Sequence, residues 1–148
     1  MNPVVRNVLA IIVGFILGSA VNMGIIMIGG SVIPPPEGSD LATMEGLTAA
    51  MEKMTPIHFV MPFLAHALGT LFGASMAAFI GSGNKILPGI IVSIFFLCGG
   101  ILNVILLPSP LWFSILDLTL AYLPMGWLGA RFILKSQRLA IRIDNRPR

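Results

Sequence analysis

The chain has 148 residues, of which 56% are hydrophobic and only 10% charged, with a mean hydropathy of +0.94 and a net charge of +3. An ordinary soluble domain carries about 25% charged residues, so these figures exclude that class and place the chain in a membrane. A single cysteine, Cys98, excludes an intramolecular disulfide and a cysteine metal cluster; lying within an apolar run, it is expected as a small buried hydrophobe.

Hydropathy predicts four spans, near residues 4–33, 56–80, 86–107 and 111–134, each about the length that crosses a bilayer as a helix. In the first, Arg6 precedes the apolar run and Gly18, Ser19 and Ala20 resemble a signal-peptide cleavage site. The run continues to Ile33, which suits an uncleaved signal anchor better. Ala10, Gly14, Gly18 and Asn22 recur every fourth position and so share one helical face.

After the turn PPPEGSD, the residues Leu41, Met44, Leu47, Met51 and Met54 return at helical spacing, with Glu45, Glu52 and Lys53 polar between them. Residues 41–54 are therefore expected as a short amphipathic helix resting on the membrane interface, with a lid over the spans as the alternative. The second span holds FLAHALGTLFGASMAAF, in which Ala65, Gly69, Gly73 and Ala77 repeat the every-fourth pattern of small residues. In lipid, helices associate through close backbone approach across such residues, so Gly14 and Gly18 are expected to meet Gly69 and Gly73. At 100° per residue His58 and His66 fall on the same arc and face protein, and antiparallel packing brings Asn22 near His66.

GSGNK turns the chain into the third span, where Asn103 shares an arc with Gly89, Ser93 and Gly100. PSP leads to the fourth, where Asp117 shares an arc with Ser114, Ala121 and Pro124, and Pro124 is expected to kink the helix. Trp112 and Trp127 lie near opposite ends of this span, at the depth amphipathic indoles favour. Residues 135–148 are expected as a basic tail: together with Arg131 just before it, Lys135, Arg138, Arg142, Arg146 and Arg148 make six of the nine basic residues, interleaved with Leu139, Ile141 and Ile143. Arg138 and Arg142 are expected to contact anionic lipid head groups, at roughly 1 kcal/mol per basic side chain. The positive-inside rule is a sufficient cause for such a tail, and nucleic acid is not expected as a partner.

Arg6, Lys85 and the tail fall on one side, and Glu37, Asp40, Glu45 and Glu52 on the other with only Lys53. Both termini are therefore expected in the cytoplasm of a bacterium, with the chain in its inner membrane. The fold class expected is an all-α integral membrane four-helix bundle of two transmembrane hairpins, with the interfacial helix between its first two spans and residues 1–134 as one domain. No internal repeat is evident, so an inverted-repeat transporter is not inferred.

Counting from the prolines, Asn22, His66, Asn103 and Asp117 lie roughly 18, 15, 8 and 11 Å from the acidic side at about 1.5 Å per residue. An aspartate at membrane depth costs about 2.5 to 3.5 kcal/mol on insertion scales, so Asp117 needs a partner, and His66 is the titratable one at similar depth. These four residues are the expected ligand or proton site, with interhelical polar contact as the plainer role. Met23, Met27, Met44, Met51, Met54 and Met61 gather on the same side as the two histidines, a set of donors that would suit Cu(I). No pair has a diagnostic ligand spacing, so neither a metal nor a cofactor is expected. There is no phosphate-binding glycine loop, HExxH or GxSxG, hence no catalytic residue to name.

The stretches PPPEG, FLAHALGT and LDLTLAYLPM are similar to motifs in a group of small bacterial membrane proteins with no assigned activity. In size the chain also resembles DoxX-like membrane proteins, without a shared motif. The function expected from the residues is that of a non-enzymatic accessory or small-molecule-binding protein with an outward-facing polar pocket. A proton-linked solute carrier using Asp117 and His66 comes next, and a membrane enzyme using the pair as acid and base last. A second copy or another membrane subunit is a possible partner.

Overall fold

Helix α1 (Pro3–Val32) begins at Asn2, whose side chain accepts a hydrogen bond from the Val4 amide at 2.9 Å, with Pro3 in the first turn where its missing N–H leaves nothing unpaired. It ends against the proline run 34–36. The computed structural model describes residues 1–144, the side chain of residue 141 excepted, and is all-helical over them. Arg146 and Arg148 lie outside the described residues. Four helical segments are long and apolar enough to cross a membrane: Pro3–Val32, Pro56–Ile80, Ile86–Leu106 and Leu111–Asp144.

The amphipathic helix α2 (Met44–Lys53) starts later than expected, because Thr43 caps it by accepting from the Gly46 amide at 3.1 Å. Asp40 in turn accepts from the Thr43 hydroxyl at 2.7 Å and the Ala42 amide at 2.8 Å, and these donors hold its carboxyl below the usual range. Leu41 therefore precedes the helix, and Met44 is exposed, while Leu47, Ala50, Met51 and Met54 turn inward.

A 3-10 turn (Pro56–Phe59) feeds α3 (Val60–Ile80); Gly83 at φ 64° makes the bend to α4 (Ile86–Leu106). The fourth segment is two helices, α5 (Leu111–Leu120) and α6 (Leu123–Asp144), separated at Ala121 and Tyr122. Pro124 lacks the N–H that would bond the Leu120 carbonyl, which accounts for the break. Two expectations change here. The helix does not stop near residue 134 but runs to Asp144, and Pro124 is exposed rather than inward, because the break rotates α6 relative to α5.

Helix α3 is central, packed against α1, α4 and both halves of the last segment, and most extensively against α1. The contact is backbone on backbone. A Cβ added at Gly18 would lie 2.7 Å from the Gly69 carbonyl oxygen, and one at Gly69 would lie 2.8 Å from the Asn22 Cβ. Gly14 and Gly73 face each other one turn further along. Small residues also let α6 approach: Gly126 sits on Ser93, Gly129 on the Leu71 carbonyl, and Ala130 on Gly89. Among the described residues nine of the fourteen buried hydrophobic residues are alanine, while Ile105, Met27 and Leu111 are more than 70% exposed. Small residues inside and large apolar ones outside is the arrangement of helices packed for lipid. Cys98 is on that outer surface of α4, not buried as expected, because α4 turns Gly100 and Phe96 inward instead.

The two ends are distinct. At one, Arg6 Nε donates to the Ile80 carbonyl at 2.6 Å and Asn7 accepts from the Ser82 amide at 2.8 Å, tying the start of α1 to the end of α3. Lys85 Nζ donates to Gln137 at 2.8 Å there, so the basic residues of α1, the 81–85 turn and α6 share this end. The acidic loop and α2 occupy the other. If the glycine contact holds α1 to α3, Gly18→Ala lowers the midpoint of thermal unfolding in detergent. Gly24→Ala, where nothing lies within 4 Å, leaves it unchanged or raises it, since glycine in a helix costs about 0.5–1 kcal/mol relative to alanine. Equal behaviour of the two variants overturns the assignment.

Candidate functional site

Asp117 is one turn short of the end of α5 and is 3% exposed. Burial of a carboxylate in so apolar a setting is costly without donors, and the structure supplies two. His66 of α3 places Nδ1 2.9 Å from each carboxylate oxygen, and the Tyr122 hydroxyl donates to Oδ2 at 2.8 Å. Tyr122 OH and His66 Nδ1 are themselves 3.1 Å apart, and the two rings stack with centroids 5.7 Å apart. With Asp117 in its ionised form, which only accepts, Nδ1 is the donor in this contact. The ring nitrogen left for anything else is Nε2.

Tyr122 is the member that the sequence pattern does not reveal. In an unbroken helix a residue five positions after Asp117 points about 140° away from it, so counting along one arc passes over it. The break at Ala121 re-aims the ring, and Gly100 completes the fit: a Cβ there would collide with the Tyr122 hydroxyl. The signal available in the sequence was Pro124 together with the lone tyrosine beside it.

The constellation borders a half-enclosed cavity of about 290 Å³ at the acidic end. His66 and Asp117 form its deep wall; Ile26 and Gly29 of α1, Met61 of α3 and Phe113 of α5 form its sides; Leu47 and Met51 of α2 cover it. The aromatic contacts Phe59 to Phe113 at 4.8 Å and Phe59 to Trp112 at 5.7 Å fasten the 3-10 turn to α5 beside it. A volume and lining of this kind, apolar with a few convergent polar groups, is what small-molecule sites share.

The other expected site residues behave differently. Asn103 also lines the cavity but is exposed and makes no side-chain hydrogen bond among those of the described residues. Asn22 packs on Gly69, three residues along α3 from His66, and among the described residues its buried Oδ1 has no hydrogen-bond partner, so it does not join the Asp117 network. His58 borders the cavity, with Nδ1 accepting from the Thr55 amide at 3.1 Å. Met51, Met54 and Met61 line the same cavity, whereas Met23, Met27 and Met44 are on the outside. Among the described residues no three His, Cys, Asp or Glu side chains gather as they would around a metal ion. Gly14, Gly18, Gly69 and Gly73 meet in the contact between α1 and α3, and Arg138 and Arg142 lie on the exposed surface of α6.

In comparison with known proteins, no family model, no curated protein and no solved structure matches this chain. The reading of the site rests on its own residues.

Tyr122→Phe removes one charge-assisted hydrogen bond and little else. Hydrogen bonds to charged groups contribute about 1.5–3 kcal/mol in water-soluble proteins, and interhelical ones in membranes average about 0.6 with a maximum near 1.7. A loss of about 1–2 kcal/mol is therefore expected in reversible unfolding from detergent or bicelles. An effect below about 0.5 kcal/mol would show that the hydroxyl does not support Asp117.

Proposed function

We propose that the chain is a multi-pass protein of a bacterial inner membrane, a four-helix bundle with both termini in the cytoplasm, whose cavity opens toward the outside and binds a small amphipathic molecule without chemical conversion. The segregation of basic residues at one end and acidic residues at the other supports the orientation. One observation carries the binding role: the cluster of Asp117, His66 and Tyr122 brings its first two members to the wall of a cavity of about 290 Å³. Contacts that only join helices do not need an acid, a base and a phenol within 3.1 Å of one another. The methionines around them are flexible enough to adapt to an apolar body, while His66 Nε2 offers it one polar contact. Helix α2 supplies a cover with few contacts to the rest of the chain, and so a part able to move.

A second reading, a proton-linked carrier, is favoured by the helix break at Ala121. Tyr122 and Asp117 lie on either side of that break, so a change of angle between α5 and α6 would alter the proton's surroundings.

Native mass spectrometry from mild detergent tests the first reading. A bound small molecule is expected on the wild type and is lost from Val104→Trp, which fills the cavity. Retention by the variant, or no adduct on either protein, overturns it. Flux in proteoliposomes that follows an imposed pH gradient and disappears in Asp117→Asn would establish the carrier instead.

A further inference from the structure

Beyond residue 130 the last helix has outrun the bilayer: twenty residues from Leu111 already cover about 30 Å at 1.5 Å per residue. From there Arg131, Lys135, Arg138 and Arg142 follow one another at four, three and four positions, a single stripe about 16 Å long. The stripe lines a groove of about 480 Å³, separate from the cavity at the acidic end. Ile86, at the start of α4, and Leu134 give the groove its apolar side. Lys85 is turned away to Gln137 by the 2.8 Å bond that fastens α4 to α6. At the lower end the Arg131 guanidinium lies 4.6 Å over the Trp127 ring. An indole favours the boundary between hydrocarbon and head groups, so this contact marks where the groove meets the membrane. Among the described residues no carboxylate lines it.

Four cations with no carboxylate among the described residues that line the groove, above an apolar wall at head-group depth, are complementary to a lipid phosphate. Positions three and four apart on a helix are neighbours, so Arg131, Lys135, Arg138 and Arg142 form one unbroken row of cations about 16 Å long. A head group with one phosphate occupies only part of that length. We infer that this groove between α4 and α6 is a binding site for an anionic phospholipid whose head group carries two phosphates, with its acyl chains descending past Trp127. This extends the contact of Arg138 and Arg142 with anionic lipid head groups, expected from the sequence, to a shaped site on a continuous helix.

The site rests on the membrane-spanning reading, and its test separates the two. Full-length protein carrying Trp112→Phe, so that Trp127 alone reports, is placed in phosphatidylcholine nanodiscs containing either diphosphatidylglycerol or twice the amount of phosphatidylglycerol, to match total charge. The Trp127 emission is expected to shift with diphosphatidylglycerol at a concentration at least tenfold lower than with phosphatidylglycerol. Combining Lys135→Gln, Arg138→Gln and Arg142→Gln should weaken binding by on the order of a hundredfold. Equal response to the two lipids, or an unchanged response in the triple variant, reduces the stripe to ordinary surface charge and overturns the site. Displacement of the lipid by soluble pyrophosphate at equal concentration would assign the groove to a free anion and overturn it as well. Extraction of the wild-type chain from vesicles by alkali would overturn the membrane reading and the groove with it.

Discussion

The close approach of α1 and α3 is the constraint on which the rest of this molecule depends. With Gly18 and Gly69 so placed that a Cβ at either would lie under 3.0 Å from the opposite helix, the two backbones meet with no side chain between them. In lipid, where apolar surface gains little by being hidden, that proximity supplies van der Waals contact that larger side chains would forfeit. It also sets the register. Fixing Gly18 against Gly69 fixes the height of His66, three residues earlier on α3, and leaves the remaining faces of α3 free for α4 and α6. Those helices dock by the same means, through Gly89, Gly126 and Gly129, while Leu64, Leu68 and Phe72 keep one face of α3 on the outer surface.

That packing explains why the carboxylate is where it is. Once α6 is held on Ser93 and the Leu71 carbonyl, the break at Ala121 places Tyr122 against Gly100 with its hydroxyl directed to Asp117. His66 arrives from the other side. Asp117 thereby gains two donors in a place where water is scarce, and each donor depends on a glycine contact elsewhere: His66 on Gly69 and Gly18, Tyr122 on Gly100. The polar site and the small-residue packing are one arrangement.

How much of this was legible in the sequence varies with the kind of order involved. Spans and small-residue faces are properties of period and hydropathy along unbroken helices, and His66 and Asp117 could be aimed at the interior by counting 100° per residue. Counting fails where the helix does. Tyr122 escapes such counting, and Pro124 comes out inward by it, because the break between α5 and α6 resets the phase. Spacing brings Asn22 to the level of His66 but does not show that it makes no hydrogen bond to the Asp117 network among the described residues. The start of α2 depended on a cap, Thr43 with Asp40, that competes with the apolar periodicity beginning at Leu41. Cys98 shows the limit of composition: an apolar run long enough to cross a membrane does not say which of its sides is buried.

The geometry also bears on what kind of polar cluster this is. A carboxylate paired with one donor would suffice to join α3 and α5, and an asparagine would do so with less desolvation. Here the carboxylate takes two donors, and both are groups that can themselves give up or accept a proton. With Nδ1 engaged by Asp117, the imidazole presents Nε2, held in orientation by a fixed partner on its far side. That is the arrangement by which proteins prepare a histidine to accept a hydrogen bond or a proton from something else. On the binding role proposed above, the cavity beside it is the space for that something, and α2, with few contacts to the other helices, is its cover. Polar contact made only for packing does not call for ionisable groups, since uncharged ones join helices at less desolvation.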